Sequence, residues 1–427
     1  MKVNDSEAET PFELPEFRWL LASIGSTTLA SRALAVVIGY QVYDLTKNPF
    51  SLGILGLVEA IPALSLALYG GHVADRHDRR SILQSTLGVL VLCALMFATL
   101  VTLTAQAPSV HSLYLVVFVA GIARGFAEPA ASAIEAEVVP PRLLIKASTW
   151  FASSWLSCGI VGPLLGGLSY AAFGAAPTYL VIAALFACSW LAVTQLTPRP
   201  PHLPEEGESI WQSIAIGVRY VIHDQILLGS MALDLFAVLF GGAIALLPVF
   251  AASDMLNVGP AGLGFLNAAP NAGALITILI ATRYPPAKRA GPTLFWAVGA
   301  FGVCMIVFAL SRSLYLSLLM LFLAGVFDGI SIVIRRAIVR LMSPNHLRGR
   351  IAAVSMVFIG SSNELGAFES GVAAAWLGTR RSVWLGGAVT LAVVAVTALL
   401  APRLRRLDLT REAAPGKDKS FPATETA

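Results

Sequence analysis

Hydrophobic residues occur along this chain in long runs that polar residues interrupt only briefly. Each run has about 20 residues or more, the length that an α-helix needs to cross the hydrocarbon core of a membrane. The pattern predicts twelve membrane-spanning helices, numbered spans 1 to 12 in chain order, at residues 19–45, 51–73, 81–106, 112–138, 144–172, 176–196, 225–252, 259–283, 292–311, 313–340, 350–377 and 382–401. An all-α membrane protein is therefore expected.

The composition agrees with this pattern. Hydrophobic residues make up 56% of the chain and charged residues only 13%, outside the range of soluble globular proteins. The spans use nearly all 427 residues, so no room is left for a water-soluble catalytic domain. The first residues, "MKVNDSEAETPFELPEF", are polar and acidic, unlike the basic start of a signal peptide, so span 1 is expected to be retained.

The longest interruption, after residue 196, predicts a linker between two halves of six spans each. It opens rich in proline and continues as an amphipathic pattern, typical of a helix that lies at a membrane surface. The predicted organisation is a cytoplasmic N-terminal segment, a first six-helix bundle, a cytoplasmic linker with an amphipathic helix, a second six-helix bundle and a disordered cytoplasmic tail, at residues 1–18, 19–196, 197–224, 225–402 and 403–427.

Basic residues are distributed unequally between the two sides of the predicted membrane. Most of the lysines and arginines near span ends fall on one side, and the other side has Lys47, Arg312, Arg380 and Arg381. Short loops rich in lysine and arginine stay in the cytoplasm. Both termini and the linker are therefore expected to be cytoplasmic.

The second half repeats features of the first. "SLYLVVFVAGIARGF" (112–126) has a counterpart in "SLYLSLLMLFLAGVFDGI" (313–330), and "LGILGLVEAIPALS" (52–65) in "AGLGFLNAAPNAGA" (261–274). The offsets are close to half the chain length, as expected for a transporter built from duplicated bundles.

The loop between spans 2 and 3, "YGGHVADRHDRRS" (69–81), concentrates charge in a chain that otherwise avoids it. With six plus six spans and a cytoplasmic central linker, "GHVADRHDRR" resembles the signature of the major facilitator superfamily. The positions that match are Gly71, Asp75, Arg76, Arg79 and Arg80, whereas Asp78 stands where the pattern usually has glycine.

Other segments resemble a narrower branch of that superfamily, the one with the enterobactin exporter, secretion effectors and multidrug efflux proteins. These segments are "VYDLTKNP", "LDLFAVLFGGAIALLPVFA" and "GPAGLGFLNAAPNAGAL". The resemblance covers nearly the whole chain. It implies the major facilitator fold, alternating access and a location in the inner membrane of a bacterium.

For the loop motif we favour a gating role. Gly71 would let span 2 approach a neighbour closely, and Asp75 would face the N-terminal end of span 11, where the helix dipole favours a carboxylate. The arginines would pair with carboxylates at the cytoplasmic ends, such as Glu135 or Glu137. The alternative is that the arginines only set the topology.

A second motif lies in span 5, where "GPLLGG" contains Gly162, Pro163, Gly166 and Gly167. Proline removes a backbone donor and the glycines allow close packing, so the helix is expected to bend there. The string resembles the span 5 motif of antiporter-type exporters. It departs from that motif upstream, because Thr149 and Cys158 stand where glycines would be expected.

Charged residues inside the spans form the third group of interest, because each costs about 2.5–3.5 kcal/mol at the membrane centre. We assign them to a substrate and proton cavity: Arg32, Glu59, Arg124, Glu128, Asp234, Asp328, Glu364 and Glu369. The carboxylates outnumber the arginines, which suits cationic or zwitterionic solutes and offers sites for protons.

Two pairs within this group are expected, Arg32 with Glu59 and Arg124 with Glu128, with a structural or a functional role equally open. Asp234 and Asp328 have no obvious basic partner, so they are the better proton or substrate candidates, together with Glu364. Arg335 is interpreted as an interfacial anchor. Trp155 is assigned to the interfacial aromatic belt or to packing, with lining of the cavity as the alternative.

The residues that other chemistries require are missing from the sequence. The four cysteines lie inside apolar runs without metal-site spacing, and the histidines lie in loops or at helix ends. No glycine-rich nucleotide loop ends in Lys-Ser or Lys-Thr, which argues against an ATP-driven pump. We expect no metal, no cofactor, no nucleic-acid partner and no enzymatic activity.

The favoured function is a secondary transporter, acting as a monomer in the lipid bilayer, that exports a drug-like, cationic or siderophore-like small molecule by alternating access. Proton antiport is the expected coupling. A solute–proton symporter for uptake is the first alternative, which the span 5 motif disfavours. A sensor that resembles a transporter but does not transport is the second, and measured substrate flux separates it from the others.

Overall fold

A computed structural model describes residues 9–103, 108–198, 210–241, 243–253, 255–284, 286, 288–344 and 347–412. The first half contains six long helices: α1 Pro15–Thr46, α2 Phe50–Arg76, α3 Arg79–Leu103, α4 Val110–Glu137, α5 Leu144–Phe173 and α6 Ala175–Thr194. After α7 (Ile210–His223), the second half contains α8 Gln225–Gly241, α9 Leu247–Ala252, α10 Gly259–Arg283, α11 Ala290–Leu310, α12 Leu314–Met342, α13 Arg348–Leu377 and α14 Thr379–Leu400. Two short helices follow, α15 Pro402–Arg405 and α16 Leu409–Glu412.

The predicted all-α membrane fold is confirmed. Eleven of the predicted spans coincide with stretches of helix that are long and apolar enough to cross a membrane. Span 11 coincides with α13, a helix of 30 residues with a more polar middle, "SSNELGAFESG". Apolar length predicts these helices well because, inside a membrane, a helix satisfies its own backbone hydrogen bonds.

Within the described residues, span 7 is the one predicted helix that is interrupted. It consists of α8, a 3₁₀ turn over Ala243–Leu246 and the short helix α9, which begins at Leu247 with Pro248 in its first turn. Proline at that position lacks the N–H that would continue the preceding helix, so it starts a new helix instead. The interruption falls toward the end of the span that lies next to α1 and α10.

The predicted linker and tail are described in part. Ile210–His223 forms a helix, as the amphipathic pattern predicts, and α15 and α16 lie in the segment predicted as a tail. Residues 1–8, 199–209 and 413–427 of the predicted N-terminal segment, linker and tail lie outside the described residues. The limits of the predicted domains stay a prediction.

The two halves use the same helix pairings. In the first half α1 packs on α5, α2 on α4 and α3 on α6. In the second half α8 packs on α13, α10 on α12 and α11 on α14. Gly174 (φ 80°) and Gly378 (φ 86°) also make the same tight turn between the last two helices of each half, with a positive φ that favours glycine. The two halves thus share one architecture.

The halves meet through α5 against α10 and α2 against α13. We call the end of the molecule with loops 77–78, 138–143 and 284–289 the basic end, and the other end the opposite end. Glycines allow the helices to touch near the opposite end: a Cβ at Gly167 would lie 2.5 Å from the carbonyl oxygen of Pro260, and one at Gly371 would lie 2.7 Å from the Cα of Gly53.

Hydrophobic packing shows where the halves separate. One cluster of buried side chains joins the first half to the part of the second half near the opposite end, including Phe250, Leu263 and Phe308. A second cluster lies at the basic end of the second half and includes Leu227, Leu294 and Ile338. Because this second cluster, as far as its side chains are described, contains no residue of the first half, we infer a cleft between the halves toward the basic end.

The contact between α5 and α10 leads to a stability prediction. Gly167→Val should lower the melting temperature of the purified protein by an amount equivalent to about 1–3 kcal/mol, because the added side chain overlaps the backbone of α10. Gly299→Val is the matched control, since the nearest atom to a Cβ there is 4.0 Å away. Equal melting temperatures for the two variants would contradict the described contact.

Candidate transport site

The charged residues predicted inside the spans fall into two groups on either side of the cleft. Glu59 on α2, Arg124 and Glu128 on α4, and Arg32 on α1 belong to the first half. Asp234 on α8, Asp328 on α12, and Glu364 and Glu369 on α13 belong to the second half. Most lie within about two turns of the middle of their helices, at 1.5 Å rise per residue.

Arg124 is the centre of the first group. It forms an ion pair with Glu59 across the α2–α4 contact and a second one with Glu128, 3.3 Å away on its own helix. The predicted Arg124–Glu128 pair is therefore present. The carboxylate of Glu128 stays 71% exposed, and a charge at this depth avoids lipid, so it faces the cleft.

Glu364 connects the second half to this group. It lies on α13 close enough to interact electrostatically with Glu59, Arg124 and Glu128, all of which belong to the other half. Glu369 lies on the same helix nearer the opposite end and is partly buried. The described residues place no lysine or arginine nitrogen within 4.0 Å of either carboxylate.

The predicted pair of Arg32 with Glu59 is wrong. Glu59 is paired with Arg124, and the guanidinium of Arg32 stands over the indole ring of Trp155 at 5.1 Å from the ring centroid. Trp155 lies near the middle of α5 and is 49% exposed. It is therefore not part of an interfacial belt, and the alternative assignment, lining of the cavity, agrees with its position.

Arg335 is the centre of the second group and not the interfacial anchor that its place in the sequence suggests. Arg335 forms an ion pair with Asp234 on α8 and approaches Asp328 to 3.9 Å on its own helix. Its Nε also donates a hydrogen bond to Ser331 Oγ at 3.1 Å. The expectation that Asp234 and Asp328 have no basic partner is therefore wrong, because both share this arginine.

A signal for this arrangement was present in the sequence. Asp328, Ser331 and Arg335 are spaced by three and four residues, which places them on one face of a helix. Such spacing within α12 does not identify Asp234, whose pairing depends on how α8 and α12 are rotated against each other.

The glycines of the predicted span 5 motif lie at two helix contacts. Cβ atoms at Gly162 and Gly166 would lie 2.6 Å from Arg32 Cβ and 2.7 Å from the carbonyl oxygen of Ala33, so this face of α5 packs tightly on α1. Gly167 contacts α10, and Pro163 presents its carbonyl oxygen to Gly264 on the same helix. The motif therefore lies where α5 joins the two halves.

The loop motif is bound within the first half. Arg79 forms an ion pair with Glu137 on α4 and donates a hydrogen bond at 3.1 Å to the carbonyl oxygen of Ala74. Arg80 donates hydrogen bonds to the carbonyl oxygens of Val193 and Thr194, where a cation is favoured at the C-terminal end of α6. Arg76 is exposed.

For two residues of the motif, the described residues of the second half provide no contact. Asp75 is 51% exposed and lies 3.4 Å from Arg79 on the next helix. A Cβ at Gly71 would meet no atom within 4 Å, whereas one at the preceding residue, Gly70, would lie 2.4 Å from the carbonyl oxygen of Gly125 on α4. The close approach expected at Gly71 is thus made by Gly70.

The Asp234–Arg335 pair leads to a second prediction. Both side chains are nearly buried, 11% and 12% exposed, so Arg335→Gln leaves a carboxylate without its partner and should destabilise the protein by about 3–5 kcal/mol. Adding Asp234→Asn should restore part of the melting temperature. Losses that simply add in the double variant would show that the two residues do not interact.

Comparison with known proteins agrees with this architecture. Residues 6–424 match the family described as the transmembrane secretion effector. The multidrug efflux pump Tap of Mycolicibacterium fortuitum is 27% identical over 389 residues, which cover 88% of this chain and 92% of that protein. The enterobactin exporter EntS of Escherichia coli O1:K1 / APEC is 23% identical over 339 residues, 79% of this chain and 80% of that protein.

Solved structures show the same fold. A bacterial homologue of the human lysosomal transporter Spinster, in an inward-facing and unoccupied conformation, superposes with a TM-score of 0.71 at 16% identity, over 94% of this chain and 99% of that one. A POT family transporter in complex with 5-aminolevulinic acid also has a TM-score of 0.71, at 12% identity, over 91% and 96% of the two chains. The chain therefore belongs to the transmembrane secretion effector family of the major facilitator superfamily, whose members are secondary transporters and not enzymes.

Proposed function

We propose that this protein exports amphipathic cationic or zwitterionic small molecules in exchange for protons. The observation that carries the proposal is the surplus of carboxylates among the charged residues of the two groups: Glu59, Glu128, Glu364, Asp234 and Asp328 accompany the arginines Arg32, Arg124 and Arg335. Inside a membrane, a carboxylate that has no cationic side chain as its partner needs either a proton or a positively charged solute. Competition between the two couples proton entry to solute exit.

The direction of transport follows from two lines of support. Of the relatives, Tap is an efflux pump and EntS is an exporter. The span 5 motif joins α5 to α1 and to α10, at the place where the halves would rock against each other. With the termini in the cytoplasm, as the basic loops favour, the cleft at the basic end receives solute from inside the cell.

The conversion between states involves the loop motif. In the described state Arg79 and Arg80 are bound within the first half, and the described residues of the second half provide no partner for Asp75 or Gly71. When the basic end closes, α2 approaches the start of α13, and Asp75 meets the positive end of that helix dipole. The loop then latches the state that is open at the opposite end.

Proton-linked export is tested by the accumulation of cationic dyes in an efflux-deficient bacterium that expresses the protein. Cells with the wild-type protein should accumulate less dye than cells without it, and a protonophore should abolish the difference. The triple variant Asp234→Asn, Asp328→Asn and Glu364→Gln should export dye without response to the proton gradient, or not at all, because the competing carboxylates are neutral.

The matched control is Asp44→Asn, which removes a carboxylate that pairs with Lys47 on the surface at the opposite end. It should export like the wild-type protein. Full gradient-driven export by the triple variant, at equal amounts of protein in the membrane, would remove these three carboxylates as proton carriers. Dye accumulation above the level of cells without the protein would indicate import and contradict the proposed direction.

The latch is tested by a pair of adjacent glycines. Gly71→Val should leave the melting temperature unchanged, because a side chain there meets no atom within 4 Å, and should slow export by about tenfold, because valine prevents α2 from approaching α13. Gly70→Val should instead lower the melting temperature, since it overlaps α4. Export by Gly71→Val at the wild-type rate would argue against the latch.

A further inference from the structure

Arg32 is the one arginine of the transport site for which the described residues provide no carboxylate within 4.0 Å. It lies near the middle of α1, where the neighbouring polar side chains, such as Thr28 and Ser31, carry no charge. Glu59 is within electrostatic range of Arg32, but that carboxylate is already paired with Arg124. A guanidinium in the membrane interior is stable only with water or an anion beside it. The described residues do not supply that anion, and a solute with an anionic group can.

The position of Arg32 is fixed by its neighbours. Gly162 lets α5 approach so closely that a Cβ there would lie 2.6 Å from Arg32 Cβ. One and a half to two turns away on α5, Trp155 supports the guanidinium through its ring face, at 5.1 Å. A cation–π contact of this kind supplies no oxygen acceptor, so the N–H groups of the guanidinium stay available for two parallel hydrogen bonds to a carboxylate.

The surroundings define what else the solute must have. Trp155 is 49% exposed, so part of its ring is available to pack against an aromatic group of a solute. Arg32 and Glu364 both interact electrostatically with Glu59 and Arg124. The cation of Arg32 and the carboxylate of Glu364 therefore lie around the same ion cluster, on opposite sides of the cleft. A solute that bridges them carries an anionic group toward α1 and a cationic group toward α13.

We propose that Arg32 and Trp155 form an anion subsite, and that the transported solutes are aromatic zwitterions whose carboxylate binds Arg32 while their cationic group is balanced by the carboxylates of the cleft. The proposal rests on the proposed function for the role of the site, and it narrows the solute class from cations in general to molecules that also carry a carboxylate. A simple cation would leave Arg32 without a partner.

Two dyes that differ in one group test the subsite. Rhodamine 110 has a free carboxylate on its cationic aromatic framework, and rhodamine 123 has the same carboxylate masked as a methyl ester. Binding of each dye to the purified full-length protein in lipid nanodiscs is measured by fluorescence polarisation. The wild-type protein should bind the free acid about tenfold more tightly than the ester, because only the acid pairs with Arg32.

The variants separate the subsite from a general effect of charge. Arg32→Gln should remove the preference for the acid and leave binding of the ester unchanged, and Arg32→Lys should keep part of the preference, because an ammonium lacks the bidentate geometry. Trp155→Leu should weaken both dyes. Arg283→Gln, which removes an exposed arginine at the basic end, should keep the wild-type preference.

The outcomes that overturn the proposal are equal binding of the two dyes by the wild-type protein, no binding of the acid, or a preference that survives in Arg32→Gln. Loss of binding of both dyes in Arg32→Gln would assign Arg32 a structural role and also overturn it. Because binding is measured without a gradient, failure of gradient-driven export in cells would count against the proposed function and leave this result standing.

Discussion

Backbone contact between glycines of the two halves is the constraint on which the rest of this structure depends. Near the opposite end, α5 meets α10 at Gly167 and Gly264, and α2 meets α13 at Gly53 and Gly371. Side chains would keep these helices apart, so the absence of a Cβ brings them close enough to join the halves. The same contacts leave the halves apart toward the basic end, where the second half has its own hydrophobic cluster.

The role of the charged residues in the transport site depends on this arrangement of the two halves. Within each half an arginine balances carboxylates across a helix contact, Arg124 in the first half and Arg335 in the second. These pairs lower the energy of burying charge without joining the halves. Between the halves the balance is incomplete, because Arg32 and Glu364 face the cleft without described ion-pair partners. A solute or a proton that completes the charge balance changes the free energy of closing the halves.

Much of this architecture follows from sequence. Apolar length predicts every long helix to within a few residues at most ends, because a bilayer requires about the same helix length each time. The loop motif and the glycines of "GPLLGG" are also recognisable from their spacing. The interruption between α8 and α9 is not predicted, because an apolar run continues through it and its local signals are only the adjacent glycines at 241 and 242 and Pro248.

Partners of buried charges are harder to predict, for a geometric reason. One residue along a helix turns a side chain by about 100°, so a Cβ at Gly70 would meet α4 whereas one at Gly71 would meet no atom within 4 Å, although the two residues are adjacent. For the same reason the sequence suggests Arg32 for Glu59 and no partner for Asp234, whereas the helix rotations place Arg124 and Arg335 beside them. Pairing within one helix, as between Arg124 and Glu128, is the part that spacing does predict.

The proposed function requires that the two ends of the molecule open and close in opposition around the charged cleft. Distances between spin labels test it most directly, with one pair across the basic end at Ser81 and Thr282 and another across the opposite end at Asn48 and Arg312, all of them exposed. When the pH of the protein in lipid nanodiscs is lowered, the basic-end distance should shorten in part of the population. The opposite-end distance should lengthen in the same fraction of the population. Two distances that lengthen together, or that stay fixed in a protein shown to transport, would contradict it.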